Sequence, residues 1–324
     1  MALLETRLNR VRDIVFNYAN ARNIDAVMSN ISGIAIDGDF AWTVSDEGRT
    51  FECLSITEAG FMLDRQYVLD DFFAGLPEGH EADLESVDVA NGRLWLCGSH
   101  CRVRREPKVP GILDPGFRRR PSRHLLGSIE LDGHGKLKPG TATALPYTSE
   151  GSLRRCLRAN PFLSAFLNLP SKENGLDIEG MTVLPKQVLL GLRGPVIDSH
   201  AVVVSLPRKG ATVDGDPHLH MLDFKGLGVR DLARDGNTIL VLAGPVTGAD
   251  GPFRIYRWRP SASGEVETAD VLHEWAISHE HPEGLCPFTR NDEPGVLVVY
   301  DTPDQHRRSG TQVTGDWFAL PLSS

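Results

Sequence analysis

Five stretches of this chain repeat one plan: an apolar segment, a tight turn and a second apolar segment. They run from Ile31 to Val44, Leu84 to Leu96, Ile178 to Gly191, Val229 to Leu242 and Pro282 to Tyr300. Aligned on Ser32, Glu85, Glu179, Arg230 and Glu283, they recur at intervals of 53, 94, 51 and 53 residues. Self-similarity at a fixed period is the mark of a repeat architecture, so one rule must place all five units. The first segment of each unit is short, apolar and glycine-rich, which suits the innermost strand of a β-propeller blade crowded around an axis. The second is a near-continuous apolar run, as in Leu94-Trp95-Leu96-Cys97 and Ile239-Leu240-Val241-Leu242, as expected of a strand covered on both faces.

Outer strands follow where a four-stranded antiparallel blade needs them, at His124 to Leu131, Ala201 to Leu206 and Phe253 to Trp258. The fold expected is all-β: one β-propeller domain over residues 1–324 with five blades, six being the alternative because of the 94-residue interval. That excess divides into a basic loop at about 102–123 and a helical insertion at about 151–170, where apolar residues at helical spacing end at Pro170. The last blade is expected to close by pairing Asp316 to Leu320 with an amino-terminal strand, Arg12 to Tyr18, which removes open sheet edges. A helix over residues 3–20 is the other possibility for that segment. The 32 Gly and 21 Pro residues supply turns for many short strands, and Asp37-Gly38-Asp39, Asn91-Gly92 and Asp235-Gly236-Asn237 read as hairpin turns.

A net charge of −9 disfavours wholesale binding to nucleic acid or membrane surfaces, which need a positive field. No apolar run is long enough to cross a membrane, and Met1 to Arg7 lacks the regions of a signal peptide, so a cytoplasmic location is expected. The five cysteines are scattered, and four lie in apolar stretches where a thiol behaves as a small hydrophobe, so no disulfide is expected. Cys97, His100 and Cys101 do not complete the four-ligand zinc pattern. No Gly-x-Ser-x-Gly elbow, dinucleotide fingerprint or phosphate loop occurs. His218 and His220, like His279 and His281, read as surface histidines, and Trp42, Trp95 and Trp258 as packing between blades.

Gly175-Leu176-Asp177-Ile178-Glu179-Gly180-Met181 followed by Leu189-Leu190-Gly191-Leu192-Arg193-Gly194-Pro195 resembles an uncharacterised bacterial β-propeller family, domain of unknown function 3616. Gly98-Ser99-His100, Gly226 to Ala233, Ala243-Gly244-Pro245 and Pro282-Glu283-Gly284-Leu285 extend the resemblance over about residues 30–320. More distantly, the Ile-Glu-Gly motif is similar to esterase-like phytase propellers. That likeness implies phosphoester chemistry, although a basic phosphate clamp beyond Arg193 and Arg230 is missing.

In a propeller, equivalent repeat positions converge at one mouth of the central channel, so Ser32, Glu85, Glu179, Arg230 and Glu283 are expected to meet. Clustered carboxylates need protons, cations or basic neighbours. Glu85, Glu179 and Glu283 are therefore candidate ligands for a divalent cation, Ca²⁺ above all, with Ser32 completing an oxygen shell. Arg193, Arg230 and Ser32 are candidate ligand-binding groups. His100, Asp46 and Asp301, at or just past the ends of second strands, are candidate general bases for a cation-assisted hydrolase of phosphoesters or lactones. The competing expectation is a structural Glu–Arg network with no ligand. A non-catalytic scaffold for an unknown protein partner or a small anionic ligand is a further alternative. The basic loop, eight Arg and Lys residues against Glu106 and Asp114, supports that scaffold unless it pairs with the chain's own acidic surface.

Overall fold

In the computed structural model, which describes residues 8–261 and 264–320, the five apolar pairs form five antiparallel hairpins. Gly38, Asn91, Gly92 and Gly236 turn three of them at positive φ, a conformation Gly and Asn adopt at low cost. The inner strands are Ile31–Asp37, Leu84–Ala90, Asp177–Val183, Gly228–Asp235 and His281–Pro287. Their partners are Phe40–Ser45, Arg93–Gly98, Gln187–Ile197, Thr238–Gly244 and Gly295–Asp301. Arg93–Gly98 and Thr238–Gly244 are buried along their whole length, which is why the apolar run in each is unbroken.

A third strand continues each hairpin: Thr50–Thr57, Leu126–Glu130, His200–Lys209, Phe253–Trp258 and Gln312–Ala319. Four of these arrays take a fourth strand from the next stretch of chain, Gly60–Val68, Thr143–Ala144, His218–Leu222 and Asp270–Trp275. The array of Gln312–Ala319 takes it from the other end of the molecule. Arg10–Asn17 pairs antiparallel with Gln312–Ala319 and parallel with Gly60–Val68. The two chain ends thus meet as the sequence suggests, and the alternative helix is overturned for residues 10–17 because alternate residues Ile14 and Phe16 face the core. The expectation about a signal peptide concerns residues 1–7, which lie outside the described residues.

The inner strands lie side by side in the order of the chain, and His281–Pro287 returns to lie against Ile31–Asp37. The arrangement is all-β and propeller-like. Neighbouring inner strands touch backbone to backbone where glycine permits. A Cβ on Gly180 would lie 2.9 Å from the Asp231 Cα, and one on Gly284 would lie 3.1 Å from the Gly33 Cα. Polar side chains lock the ring at the same level. Ser86 Oγ accepts the Met181 N–H at 2.9 Å, Asp88 Oδ2 accepts the Val183 N–H at 2.6 Å, and Asp231 Oδ2 accepts the Leu285 N–H at 2.8 Å.

The two pieces of the long interval are more ordered than their sequence suggests. The basic loop is a two-stranded ribbon, Arg102–Arg104 paired with Phe117–Arg119. The helical insertion is one short helix, Leu153–Arg158, and a 3₁₀ turn, Phe166–Asn168. Leu153, Leu157, Leu163 and Leu167 project from it into the layer that holds Trp95, Ile178 and Met181, so the insertion completes a core. Among the described residues no helix is long and apolar enough to cross a membrane.

Candidate functional site

Each residue on which the repeats align sits at a break in strand register. The pairing slips between Ile31 and Gly33, Leu84 and Ser86, Ile178 and Gly180, Val229 and Asp231, and Pro282 and Gly284. Ser32, Glu85, Glu179, Arg230 and Glu283 are therefore the extra residues of five equivalent β-bulges. A bulged residue leaves the ladder and its side chain is re-aimed, which is how one repeat position can deliver chemistry to a channel.

Four of the five, all but Ser32, line a cavity of about 420 Å³ at one end of the inner strands. Arg230 Nη1 donates to Glu179 Oε2 at 2.7 Å and to Glu283 Oε1 at 2.8 Å. Arg193 Nη1 reaches Glu179 Oε1 at 2.7 Å, and its Nη2 pairs with Asp177. In the same cavity Arg123 Nη1 holds Asp83 Oδ2 at 2.7 Å. Seven carboxylates (Asp46, Asp83, Glu85, Asp177, Glu179, Glu283, Asp301) line the cavity against four cations (Arg123, Lys172, Arg193, Arg230), with His281 beside them.

Of these carboxylates, Glu85, Asp46 and Asp301 are held by no arginine among the described residues. Glu85 is buried, and among the described residues no side chain donates to its carboxyl. Burial, and then Asp83, Glu179, Asp46 and Asp177, push its pKa well above the carboxylate range. Asp46 is pushed up to about 7, by burial first and then by Asp301 and Asp83, and its buried Oδ1 has no hydrogen-bond partner among the described residues. Asp301 is also raised, mainly by burial. Asp177 sits at about 7 because burial outweighs the pull of Arg193. Each raised pKa favours the protonated carboxyl, and a bound cation would favour the ionised one.

Oxygens of Glu85, Asp177 and Glu179 lie within 4.8 Å of one another, a spacing that suits a hard cation. Glu283 is not within that distance of the other three, so the expected set of Glu85, Glu179 and Glu283 differs from this trio by one residue, Asp177 standing in place of Glu283. Asp177 carried a signal that the alignment on single residues passed over. Asp83-x-Glu85 and Asp177-x-Glu179 repeat an acidic pair at equivalent positions of two units. A second acidic group, Glu280, Asp304 and His306, lies away from this cavity and already engages Arg307 through Glu280.

Other expected site residues lie elsewhere. Ser32 donates to the Asn30 carbonyl at 3.3 Å and does not line the cavity. His100 is buried on another side. At a φ of 54° its ring faces the Leu125 carbonyl at 3.1 Å and stacks on His124. Burial and then His124 and Arg154 hold its pKa well below the histidine range, and it does not line the channel cavity. Asp46 and Asp301 do line the cavity, as do Arg193, Arg230 and His281. His220 is not a surface residue: it is buried, with Nδ1 2.6 Å from Glu267 and its ring edge-on to Trp258. Part of the basic ribbon pairs with the chain's own acids, Arg104 with Glu173 at 2.5 Å and Arg118 with Glu106 at 3.8 Å.

Residues 30–316 match the family model described as "Protein of unknown function (DUF3616)". No curated protein matches the chain. Among solved structures, the chain is similar to the glutaminyl cyclase of Myxococcus xanthus, with 9% identity and a TM-score of 0.49 over 98% of this chain and 100% of that one. It is also similar to an exo-β-1,3-galactanase from Phanerochaete chrysosporium, with 8% identity and a TM-score of 0.47 over 98% of this chain and 65% of that one. A GH32 β-fructofuranosidase from Bombyx mori has 12% identity and a TM-score of 0.47 over 90% of this chain and 59% of that one.

Proposed function

The chain belongs to the family described as Protein of unknown function (DUF3616), and from that premise we propose that it is a single-domain, five-bladed propeller whose channel mouth is a hydrolytic substrate site. The observation that carries this reading is the pair of carboxyls in one cavity that no cation holds, Asp46 with a pKa of about 7 and Glu85 buried beside Asp177 and Glu179. A carboxyl poised near neutral pH can take up and return a proton at little cost. Asp46 acts as the base. Its carboxylate takes a proton from water as the water oxygen bonds to the substrate carbonyl carbon or phosphorus. The departing oxygen then takes that proton from Asp46, so one water is consumed and the carboxylate is restored. Asp301, which lines the same cavity, raises the Asp46 pKa and so keeps this base near neutrality.

Glu85, Asp177 and Glu179 would hold a divalent cation, and Ca²⁺ is the ion whose flexible oxygen shell such a trio suits. When bound, such an ion polarises a substrate oxygen. The excess of carboxylates makes this matter for substrate choice. An anionic phosphoester needs that charge offset before it enters, whereas a neutral lactone does not. Arg193 and Arg230 orient Glu179 and Glu283 and present their remaining N–H groups to the cavity. Five free thiols fit a reducing, cytoplasmic setting.

One observation favours a second reading, a non-catalytic scaffold for a protein or a small anionic ligand. Arg230 ties Glu179 of one inner strand to Glu283 of another, which fastens the ring whether or not anything binds. Assays with p-nitrophenyl phosphate and δ-valerolactone, with and without calcium, separate the two. Hydrolysis requires turnover of at least one substrate, with kcat/KM rising through pH 7 and falling by about 10²–10⁴-fold in Asp46→Asn. Absent turnover, or turnover equal in the variant, leaves the scaffold.

A further inference from the structure

The two pieces of chain that interrupt the repeat, the basic ribbon and the helical insertion, meet. Between them lies a pocket of about 560 Å³, which shares no lining residue with the channel mouth and is within the size range of small-molecule sites. Five arginines line it: Arg102 and Arg119 from the ribbon, Arg154, Arg155 and Arg158 from the helix. No carboxylate lines it, although the chain as a whole carries a net charge of −9.

Each element bears this charge against its own stability. Arg102 and Arg119 stand directly opposite each other in the ribbon, a like-charge pairing that weakens a two-stranded ladder. Arg154 and Arg158 are four residues apart on one helix, where like charges also repel. The neighbouring acids are committed elsewhere: Glu173 to Arg104, Glu81 and Asp83 to Arg123. Among the described residues Arg102, Arg119 and Arg158 have no ion-pair partner, and Arg155 pairs with Glu150, itself exposed. Arg154 is buried and fixed, its guanidinium donating to the His100 and Leu167 carbonyls. Burial and then Arg102 pull its pKa down to about 10. Tyr147 and His124 add ring surface to the wall.

We infer that this pocket is a second binding site, for a small ligand carrying two or more phosphate groups. Three guanidinium groups without partners match the three or so negative charges of a pyrophosphate group. Their planar forks suit phosphate oxygens bidentately, and the walls leave room for an organic moiety. The pocket is independent of the channel mouth, so its chemistry stands whether or not the mouth is catalytic.

Calorimetric titration of the full chain tests this with sodium pyrophosphate, inorganic phosphate and a single-stranded oligonucleotide, at roughly 150 mM salt so that diffuse attraction is screened. The expected result is one pyrophosphate per chain, bound at least about tenfold more tightly than phosphate. Arg119→Ala with Arg158→Ala, both exposed, should weaken binding by about tenfold or more without lowering the melting temperature, while Asp46→Asn at the mouth leaves it unchanged. No heat from millimolar pyrophosphate would overturn the proposal, as would equal affinity in the double variant. Oligonucleotide binding that pyrophosphate cannot displace would also overturn it, by revealing an extended nucleic-acid face in place of a pocket.

Discussion

A carboxyl taken out of water and set among other carboxyls keeps its proton, and Asp46 is where that has a measurable consequence. The folded chain holds this proton up to about pH 7, whereas the unfolded chain releases it near the ordinary aspartate pKa of about 3.9. Between those values the folded state binds more protons, so stability falls as pH rises through that window. Below about pH 4 both states are protonated and nothing is lost. Asp46→Asn should therefore be more stable than wild type at pH 8 by roughly 1–2 kcal/mol, a figure reduced by partial exposure, and equal to it near pH 3.5. Urea unfolding of both proteins across this range checks the sign; a constant difference at every pH would show that Asp46 titrates normally. Asp46 was legible in the sequence because it follows a second strand directly. Asp177 carried a signal in its pairing with Glu179 that alignment on single residues passed over, whereas the burial of His100 had none, since it depends on which way the chain turns after the strand Arg93–Gly98.

The inner strands show why one residue type at one repeat position is informative and where that stops. Hairpins were readable from continuous apolar runs and Asn-Gly or Asp-Gly turns, features fixed by local chemistry. The bulges at Ser32, Glu85, Glu179, Arg230 and Glu283 were not, because a bulge is set by how closely the next strand approaches. That approach is held by side chains the repeat alignment did not single out. Asp231 accepts the Leu285 N–H at 2.8 Å across the ring and the Leu232 N–H at 2.8 Å within its own strand. Asp231→Ala leaves both buried donors unmet and should cost about 2–4 kcal/mol, whereas Asp39→Ala in an exposed turn should change stability by less than about 0.5 kcal/mol. Equal effects in chemical denaturation would mean that the cross-strand bond does not hold the ring. The basic ribbon and the insertion were visible as interruptions of the period, but their meeting at Arg102, Arg119 and Arg158 is a fact of tertiary packing.

At the scale of the molecule, the two ends of the chain close the structure, with Arg10–Asn17 seated between Gln312–Ala319 and Gly60–Val68. Deleting residues 1–17 uncovers two strand edges and removes buried Ile14 and Phe16, so the truncated chain should melt earlier and self-associate in light scattering. A truncated chain with the mass and melting temperature of the intact one would mean that the closure is dispensable. The side-by-side order of the inner strands in turn brings Glu85, Asp177 and Glu179, from two consecutive units, within reach of one ion. Calcium titration of the metal-stripped chain, read as melting temperature beside Glu85→Gln, tests that claim most directly. A rise of about 5 °C or more at saturating calcium in wild type, absent in the variant, is the predicted result. No shift in wild type at millimolar calcium, or the same shift in both proteins, would contradict it.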